Sequence, residues 1–269
     1  MRTRKIEVER GLRLNVFDSS FEKDYLKGRT VVFIHGGAGC LLNWRNQLFH
    51  FAKKYRTVAY DWRGCGESDG AASYSFDDHC SDFLSLLEAL KIPAKPVVVA
   101  HSYGCLIARE YISQYQVEKF VNVSFGLAGK EGNWLRRLLY LPRLLQIPIY
   151  KYLLLPKNPT LARWLLFSSR TPLNRIKKLL NENKIPSMEF FLGLKSFREE
   201  KSREWIKGCQ DKMLVIGGRE DKFVKPKDIK QLIELAPRVK LEIIQDAGHL
   251  VPYERFDRFN SLVEAFISH

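Results

Sequence analysis

The chain has 269 residues, 45% of them hydrophobic and 28% charged, which is the composition of an ordinary globular protein and excludes a disordered or fibrous chain. Its formal net charge is +14, and most of this surplus lies in residues 130–212, which hold 18 Lys and Arg against 7 Asp and Glu. No apolar run follows the basic amino terminus or is long enough to cross a bilayer, so we expect neither a signal peptide nor a membrane span.

The first part of the chain alternates strand signals with glycine-rich loops. Residues 5–17 alternate apolar and polar side chains around Gly11, which predicts an antiparallel hairpin at the edge of a sheet. Residues 30–34 and 57–60 are short apolar runs typical of buried strands, and each is followed by a glycine-rich loop. Ser75 and Asp78 have the spacing of a capping box, which predicts the start of a helix.

A serine follows the next predicted strand, residues 96–100. Ser102 lies where this strand must turn into a helix predicted over residues 103–115, and the small residues Ala100 and Gly104 flank it. Such a turn exposes a serine hydroxyl above the sheet and aims the backbone N–H of Tyr103 at any oxyanion formed nearby. The pattern therefore indicates a nucleophile.

The alternation of strands and helices stops after the strand predicted at residues 120–124. Residues 128–209 combine helical spacing with repeated prolines, which predicts a cap of several short helices. Strands at residues 213–216 and 239–244 and a helix at 253–267 then complete the pattern. We predict an α/β fold with a mostly parallel sheet covered by helices on both faces, a core domain of residues 1–127 and 210–269, and a helical cap over 128–209.

Two more polar residues follow predicted strands and complement the serine. Asp221 follows the strand at 213–216, and His249 follows the last strand. An imidazole can take the proton of the serine hydroxyl, and a carboxylate can hold that imidazole in the required tautomer. The carboxyl ends of parallel strands meet at one edge of the sheet, so Ser102, His249 and Asp221 are predicted to form a catalytic triad. Glu220 and Asp246 are the alternative acids.

The remaining site predictions concern the oxyanion and the substrate. Gly37, in the loop at 35–39, and Tyr103 are predicted to supply the two backbone donors of an oxyanion hole. This loop has neither of the glycine spacings that bind phosphate. The predicted substrate contacts lie in this loop, beside the serine and in the cap: His35, Gly36, His101, Trp134 and Leu138.

Five segments together resemble the α/β-hydrolase superfamily: H-G-G-A-G at 35–39, D-W-R-G-C-G-E-S at 61–68, A-H-S-Y-G at 100–104, G-R-E-D at 218–221 and G-H at 248–249. The resemblance implies an eight-stranded sheet, a cap after the sixth strand and no cofactor. The D-W-R-G-x-G-x-S segment resembles the branch that includes epoxide hydrolases, haloalkane dehalogenases, C–C bond hydrolases, esterases and proline iminopeptidases. Ser102 stands where the epoxide and dehalogenase chemistries use a carboxylate nucleophile.

We therefore expect a serine hydrolase that cleaves carboxylic esters or thioesters of apolar acyl groups. A first alternative is an aminopeptidase similar to proline iminopeptidases, in which Glu199, Glu200 or Glu204 would bind the substrate amine. Its loop is H-G-G-P-G, whereas Ala38 replaces the proline here, and Tyr103 replaces the tryptophan of that family. A second alternative is a catalytically silent adaptor that binds a lipid or a protein.

Partners and compartment follow from charge and cysteine usage. The cap mixes leucines with arginines, which is compatible with an acyl pocket and with contact to an anionic membrane surface, or simply with a solvated basic face. No nucleic-acid-binding motif accompanies the charge. The five cysteines lack disulfide-like or metal-ligand spacing, so we expect a cytoplasmic protein without a metal site. The oligomeric state is left open.

Overall fold

An eight-stranded sheet forms the centre of the computed structural model, which describes residues 1–22, 28–37, 39–126, 158–184, 186–194 and 204–269. The strands, in chain order, are β1 (Arg4–Glu9), β2 (Leu12–Asp18), β3 (Thr30–Ile34), β4 (Arg56–Tyr60), β5 (Val97–His101), β6 (Lys119–Val123), β7 (Met213–Gly218) and β8 (Lys240–Ile244). Their order across the sheet is β1-β2-β4-β3-β5-β6-β7-β8.

Strand direction confirms the predicted architecture. β1 and β2 form an antiparallel hairpin around Gly11, whose φ of +80° suits glycine, and β2 pairs antiparallel with β4. The strands from β3 to β8 run parallel to their neighbours. Their carboxyl ends therefore lie at one edge of the sheet, where the predicted polar residues follow them.

The described helices are α1 (Arg45–Phe51), α2 (Phe76–Ala89), α3 (Gly104–Gln114), α4 (Pro159–Leu166), α5 (Leu173–Glu182), α6 (Met188–Gly193), α7 (Glu204–Cys209), α8 (Pro226–Leu235), α9 (Val251–Glu254) and α10 (Phe256–Ser268). The Ser75–Asp78 capping box begins α2 as predicted. Asn158 caps α4 through its side-chain oxygen, and Pro159 occupies the first turn, where its missing N–H costs nothing.

The two faces of the sheet bury separate cores. Successive side chains of a strand point to opposite faces, so Val31 of β3 joins one core and Val32 the other. The first core contains Leu48 of α1 and Phe259 of α10. Apolar residues of α2, α3, α7 and α8 fill the second core with β5 and β7. A parallel sheet covered on both faces explains the continuous apolar runs of its strands.

The segment predicted as a cap is described in part. Side chains of α6 and α7 belong to the same apolar core as the sheet, Phe190 and Ile206 among them. The pair α4 and α5 forms a smaller cluster around Phe167 and Ile176, against which Leu250 and Tyr253 pack. Residues 127–157 and 195–203 lie outside the described residues, so the division into a core domain and a cap over 128–209 stays a prediction.

The last helix differs from the prediction of one helix over 253–267. It is divided into α9 and α10 at Arg255, whose φ of −128° and ψ of 50° are not helical. The apolar spacing continues across this break, and periodicity alone therefore does not show it. Of the helices in the described ranges, none is long and apolar enough to cross a membrane.

Candidate active site

Ser102 occupies a tight turn between β5 and α3. Its φ of +50° lies in the left-handed region that non-glycine residues rarely adopt. The N–H of Ser102 donates a hydrogen bond to the carbonyl oxygen of Val123 at 2.9 Å, which fixes the turn to the neighbouring strand. A Cβ at position 104 would collide with the main chain at the end of β3, so Gly104 is required for α3 to begin there. These contacts hold the serine hydroxyl at the edge of the sheet.

Three of the predicted side chains form one hydrogen-bonded row. His249 Nε2 lies 3.0 Å from Ser102 Oγ, and His249 Nδ1 lies 2.8 Å from Asp221 Oδ2. Asp221 and His249 are only 4% and 8% exposed. The other carboxylate oxygen, Asp221 Oδ1, accepts the N–H groups of Phe223 at 2.8 Å and Val224 at 2.9 Å, which fixes the direction of Oδ2.

The partners of this row determine the tautomer of the imidazole. An ionised carboxylate only accepts hydrogen bonds, so Nδ1 of His249 must hold the proton that faces Asp221. Nε2 is then free to accept the hydroxyl proton of Ser102. This is the arrangement that a general base beside a serine nucleophile needs.

The two alternative acids have other partners. The Glu220 carboxylate accepts hydrogen bonds from Ser168 and Ser169. Asp246 forms an ion pair with Arg170 at 2.7 Å. Among the carboxylates that the structure describes, Asp221 is the one that bonds to the ring of His249.

The loop that follows β3 bends over the serine turn. The N–H of Gly39 donates to the carbonyl oxygen of Gly36 at 3.1 Å, and a Cβ at position 36 would lie 3.1 Å from Ser102 Cβ. A Cβ on Gly37 would lie 3.2 Å from the ring of Tyr103. The structure thus brings Gly37 and Tyr103, the two predicted oxyanion donors, next to each other.

Comparison with known proteins identifies the fold family. A model of the alpha/beta hydrolase fold matches residues 29–256, which is most of the chain. The chain belongs to this family. A thermophilic esterase from Thermogutta terrifontis has a similar structure, with a TM-score of 0.78 over 100% of this chain and 98% of that one, but at 17% identity this likeness shows the fold alone.

The matches of this alpha/beta hydrolase chain to two curated relatives differ in the share of each chain that they cover. Epoxide hydrolase 1 of Caenorhabditis elegans is 40% identical over 96 residues, which is 34% of this chain and 24% of that protein. Matches to the first curated relatives span only 22–35% of their lengths. The 2-hydroxymuconate semialdehyde hydrolase of Pseudomonas sp. strain CF600 is 27% identical over 97% of this chain and 92% of that protein.

Two histidines of this alpha/beta hydrolase that are predicted to contact substrate form hydrogen bonds to the main chain. His35 is buried, its Nδ1–H donates to the carbonyl oxygen of Gly36 at 2.7 Å, and its Nε2 accepts the N–H of Trp62 at 3.1 Å. His101 is also buried, and its Nε2–H donates to the carbonyl oxygen of His249 at 2.9 Å. Both rings therefore bond to the main chain of the site loops, and the prediction that they contact substrate stays a prediction.

Two further residues that lie at the site, Phe223 and Leu194, were not predicted from the sequence. The ring of Phe223 lies 5.3 Å from that of His249, centroid to centroid, and Leu194 Cδ1 would be 3.7 Å from a Cβ on Gly37. Phe223 follows Asp221 by two residues, which is a signal that could have been used, whereas Leu194 is one leucine among many. Trp134 and Leu138 lie outside the described residues, so their substrate contacts and the membrane contact of the cap stay predictions.

Buried histidines make the stability of this fold depend on pH. Burial lowers the pKa of His35, and it lowers the pKa of His79 and of His101 to about 3. Below about pH 6.5 the unfolded chain binds more protons on these rings than the folded chain does, so stability falls as pH drops through that value. We expect a loss of about 1 kcal/mol for each of His79 and His101 between pH 7.5 and 5.5, measured by chemical denaturation.

Two buried carboxyl groups in the described part of the chain oppose this trend, and a variant of His79 tests it. Burial raises the pKa of the Glu254 and Asp82 carboxyls, which favours the folded form as pH falls and partly offsets the loss. Replacing His79, which packs against the rings of Trp62 and Phe190, by phenylalanine should reduce the difference in unfolding free energy between the two pH values. Equal stability of the wild-type protein at pH 7.5 and 5.5 would contradict the assignment of neutral buried rings.

Proposed function

We propose that this protein is a serine hydrolase that cleaves carboxylic ester or thioester bonds of apolar acyl substrates through an acyl-enzyme. The observation that carries the proposal is the row from Asp221 through His249 to Ser102, with distances of 2.8 and 3.0 Å. Membership of the alpha/beta hydrolase fold family supports hydrolysis as the type of reaction.

The proposed reaction has two halves. Ser102 Oγ bonds to the carbonyl carbon while its proton passes to His249 Nε2, and the carbonyl electron pair moves onto oxygen. As this intermediate collapses, the bond to the leaving oxygen or sulfur breaks, and His249 returns the proton to that atom. Water then attacks the acyl-enzyme in the same way and releases the acid. Asp221 stabilises the charged imidazole in both halves.

The negative oxygen of each intermediate needs two donors. We assign them to the backbone N–H groups of Gly37 and Tyr103, whose residues meet beside the serine turn. Backbone donors held by the fold need no rearrangement at the moment of reaction. The hydrogen bond from His35 to the carbonyl oxygen of Gly36 supports this role, because it restrains the peptide unit that contains the Gly37 N–H.

Apolar side chains around this site support an apolar acyl group. Leu194 approaches the position of Gly37, and the ring of Phe223 packs beside that of His249. Pockets for small molecules are lined mainly by such residues with a few polar groups. We also keep the sequence-based proposal that Trp134 and Leu138 complete the acyl pocket.

The relatives suggest two competing activities. Epoxide hydrolases are among them, but the nucleophile position holds Ser102, and a serine ether formed by epoxide opening would have no carbonyl for water to attack. The match to 2-hydroxymuconate semialdehyde hydrolase covers nearly the whole chain, which makes that compound a second substrate to test. An activity similar to that of proline iminopeptidases, which the sequence suggests, is a third alternative. Of its candidate amine-binding residues, Glu199 and Glu200 lie outside the described residues, and the side chain of Glu204 is not described.

The proposal predicts both labelling and turnover. The purified protein should react covalently with a fluorophosphonate probe and should hydrolyse p-nitrophenyl esters, measured over acyl chains of increasing length. Heat-unfolded protein is the control for labelling. Absence of both reactions would reject the proposal, and turnover of styrene oxide, of prolyl-naphthylamide or of 2-hydroxymuconate semialdehyde without ester turnover would favour the corresponding alternative. A folded protein that neither labels nor turns over any of these would favour the silent adaptor.

A further inference from the structure

Glu254, at the end of α9, is a buried carboxylate with three uncharged hydrogen-bond donors. It is 2% exposed. Its Oε1 accepts the N–H of Gly248 at 2.8 Å, and its Oε2 accepts the N–H of Ser168 at 2.7 Å and the hydroxyl of Thr171 at 2.6 Å. Burying a charged carboxylate is energetically unfavourable unless hydrogen bonds compensate for the lost hydration. These three hydrogen bonds therefore tie Glu254 to the segments that supply the donors.

Two of these donors belong to one short segment, residues 166–171, which we call the clamp segment. It also reaches the loop of the proposed catalytic acid. Glu220, next to Asp221, accepts the Ser168 hydroxyl at 2.7 Å and the Ser169 N–H at 2.9 Å. The clamp segment is therefore hydrogen-bonded to Glu220 of the acid loop, and it is hydrogen-bonded to Glu254 through the Ser168 N–H and the Thr171 hydroxyl.

The clamp segment also contacts the loop of the proposed base directly. The N–H of His249 donates to the carbonyl oxygen of Leu166 at 2.8 Å. A Cβ at position 248 would lie 2.6 Å from the carbonyl carbon of Phe167, so the close contact requires Gly248. Two consecutive amides of the base loop, those of residues 248 and 249, are thus held by Glu254 and by the clamp segment.

We propose that Glu254 is a positioning residue for His249. It holds the clamp segment against the base loop, and the clamp segment in turn connects that loop to the acid loop. The ring of His249 must keep its place between Asp221 Oδ2 and Ser102 Oγ, and this requires the two loops to hold their relative position. The kinetic part of the proposal rests on the proposed function, whereas the structural coupling does not.

The variant Glu254→Gln tests the coupling with little change of volume. Both carboxylate oxygens accept hydrogen bonds, and an amide nitrogen cannot, so at least one donor loses its partner. We expect kcat and the rate of fluorophosphonate labelling to fall about tenfold or more, with KM nearly unchanged, which is the size of effect seen when a residue that orients a metal-ligating histidine is removed. Amide hydrogen exchange of residues 166–171 and 247–250 should rise together.

The matched control is Glu264→Gln, which removes a carboxylate of α10 that pairs with the partly exposed His50 and Lys54. It should leave kcat and the exchange of both segments unchanged. If Glu254→Gln does not fold, Thr171→Val removes a single donor and should produce the same pattern at smaller size.

Exchange and kinetics separate the possible failures. Hydrogen exchange needs no substrate, so it tests the coupling even if the wild-type protein proves to have no esterase activity. Unchanged exchange in both segments of the folded variant would overturn the proposal. So would a variant with a lower melting temperature but with wild-type kcat and labelling rate at a temperature where it is folded, because that result indicates stability alone.

Discussion

Replacing Ser102 by alanine should lower kcat for ester hydrolysis by about 10⁶-fold and abolish covalent labelling by a fluorophosphonate. The reason is the position of the hydroxyl, 3.0 Å from His249 Nε2 in a turn that exposes it. Alanine has a side chain no larger than serine's, so the left-handed turn at φ +50° gains no new steric conflict. Initial rates with a p-nitrophenyl ester and gel detection of the probe measure the two effects.

A serine outside the site provides the control for this variant. Ser113, on the exposed end of α3, donates its hydroxyl to the carbonyl oxygen of Glu110. Ser113→Ala should keep wild-type turnover and labelling, and circular dichroism should show that both variants are folded. Turnover retained by folded Ser102→Ala would mean that another group performs the reaction.

Asp221→Asn should lower kcat by about 10⁴-fold while the protein stays folded. Asp221 Oδ1 accepts the N–H groups of Phe223 and Val224, so the asparagine carbonyl oxygen must take that position. Its NH₂ group is then directed at His249 Nδ1, which would have to become the acceptor. The proton moves to Nε2, and the ring can no longer accept the proton of Ser102.

Because the loss of kcat comes from a change in the tautomer of His249, it should occur when Asp221 is replaced and not when a nearby carboxylate is replaced. Asp246→Asn removes an acid from the same region, one that pairs with Arg170 on the surface, and should change kcat little. The ¹⁵N chemical shifts of the imidazole nitrogens of His249 should report the change of tautomer in Asp221→Asn. Wild-type kcat in that variant would show that the row of hydrogen bonds does not operate as proposed.

Local sequence patterns predicted most of the fold because they reflect local physics. A buried parallel strand must be apolar on both faces, and the runs that form β3 and β5 are. Gly104 could be recognised from the sequence as part of a tight turn between a strand and a helix, because only a residue without a side chain fits where α3 meets the end of β3. The polar residues that follow the strands could likewise be predicted to lie close together, since parallel strands bring their carboxyl ends to one edge of the sheet.

Other features depend on contacts between segments far apart in the chain. Nothing in the sequence near His35 or His101 shows that their rings turn inward, to the main chain at Trp62 and at His249. Glu254 looks like an ordinary charged residue of an amphipathic helix until Ser168 and Gly248 are seen to donate to it. Such partners are separated by up to 148 residues along the chain.

The sequence alone therefore determined the type of fold and the identity of the residues that could react, because strand patterns and strand-end loops are local properties. Only the tertiary structure decided that the hydroxyl of Ser102, the ring of His249 and the carboxylate of Asp221 meet within hydrogen-bonding distance. It also decided that Gly248 and Ser168 donate hydrogen bonds to the buried carboxylate of Glu254. A hydrogen bond depends on distances of a few tenths of an ångström, and these are set by the packing of the whole chain.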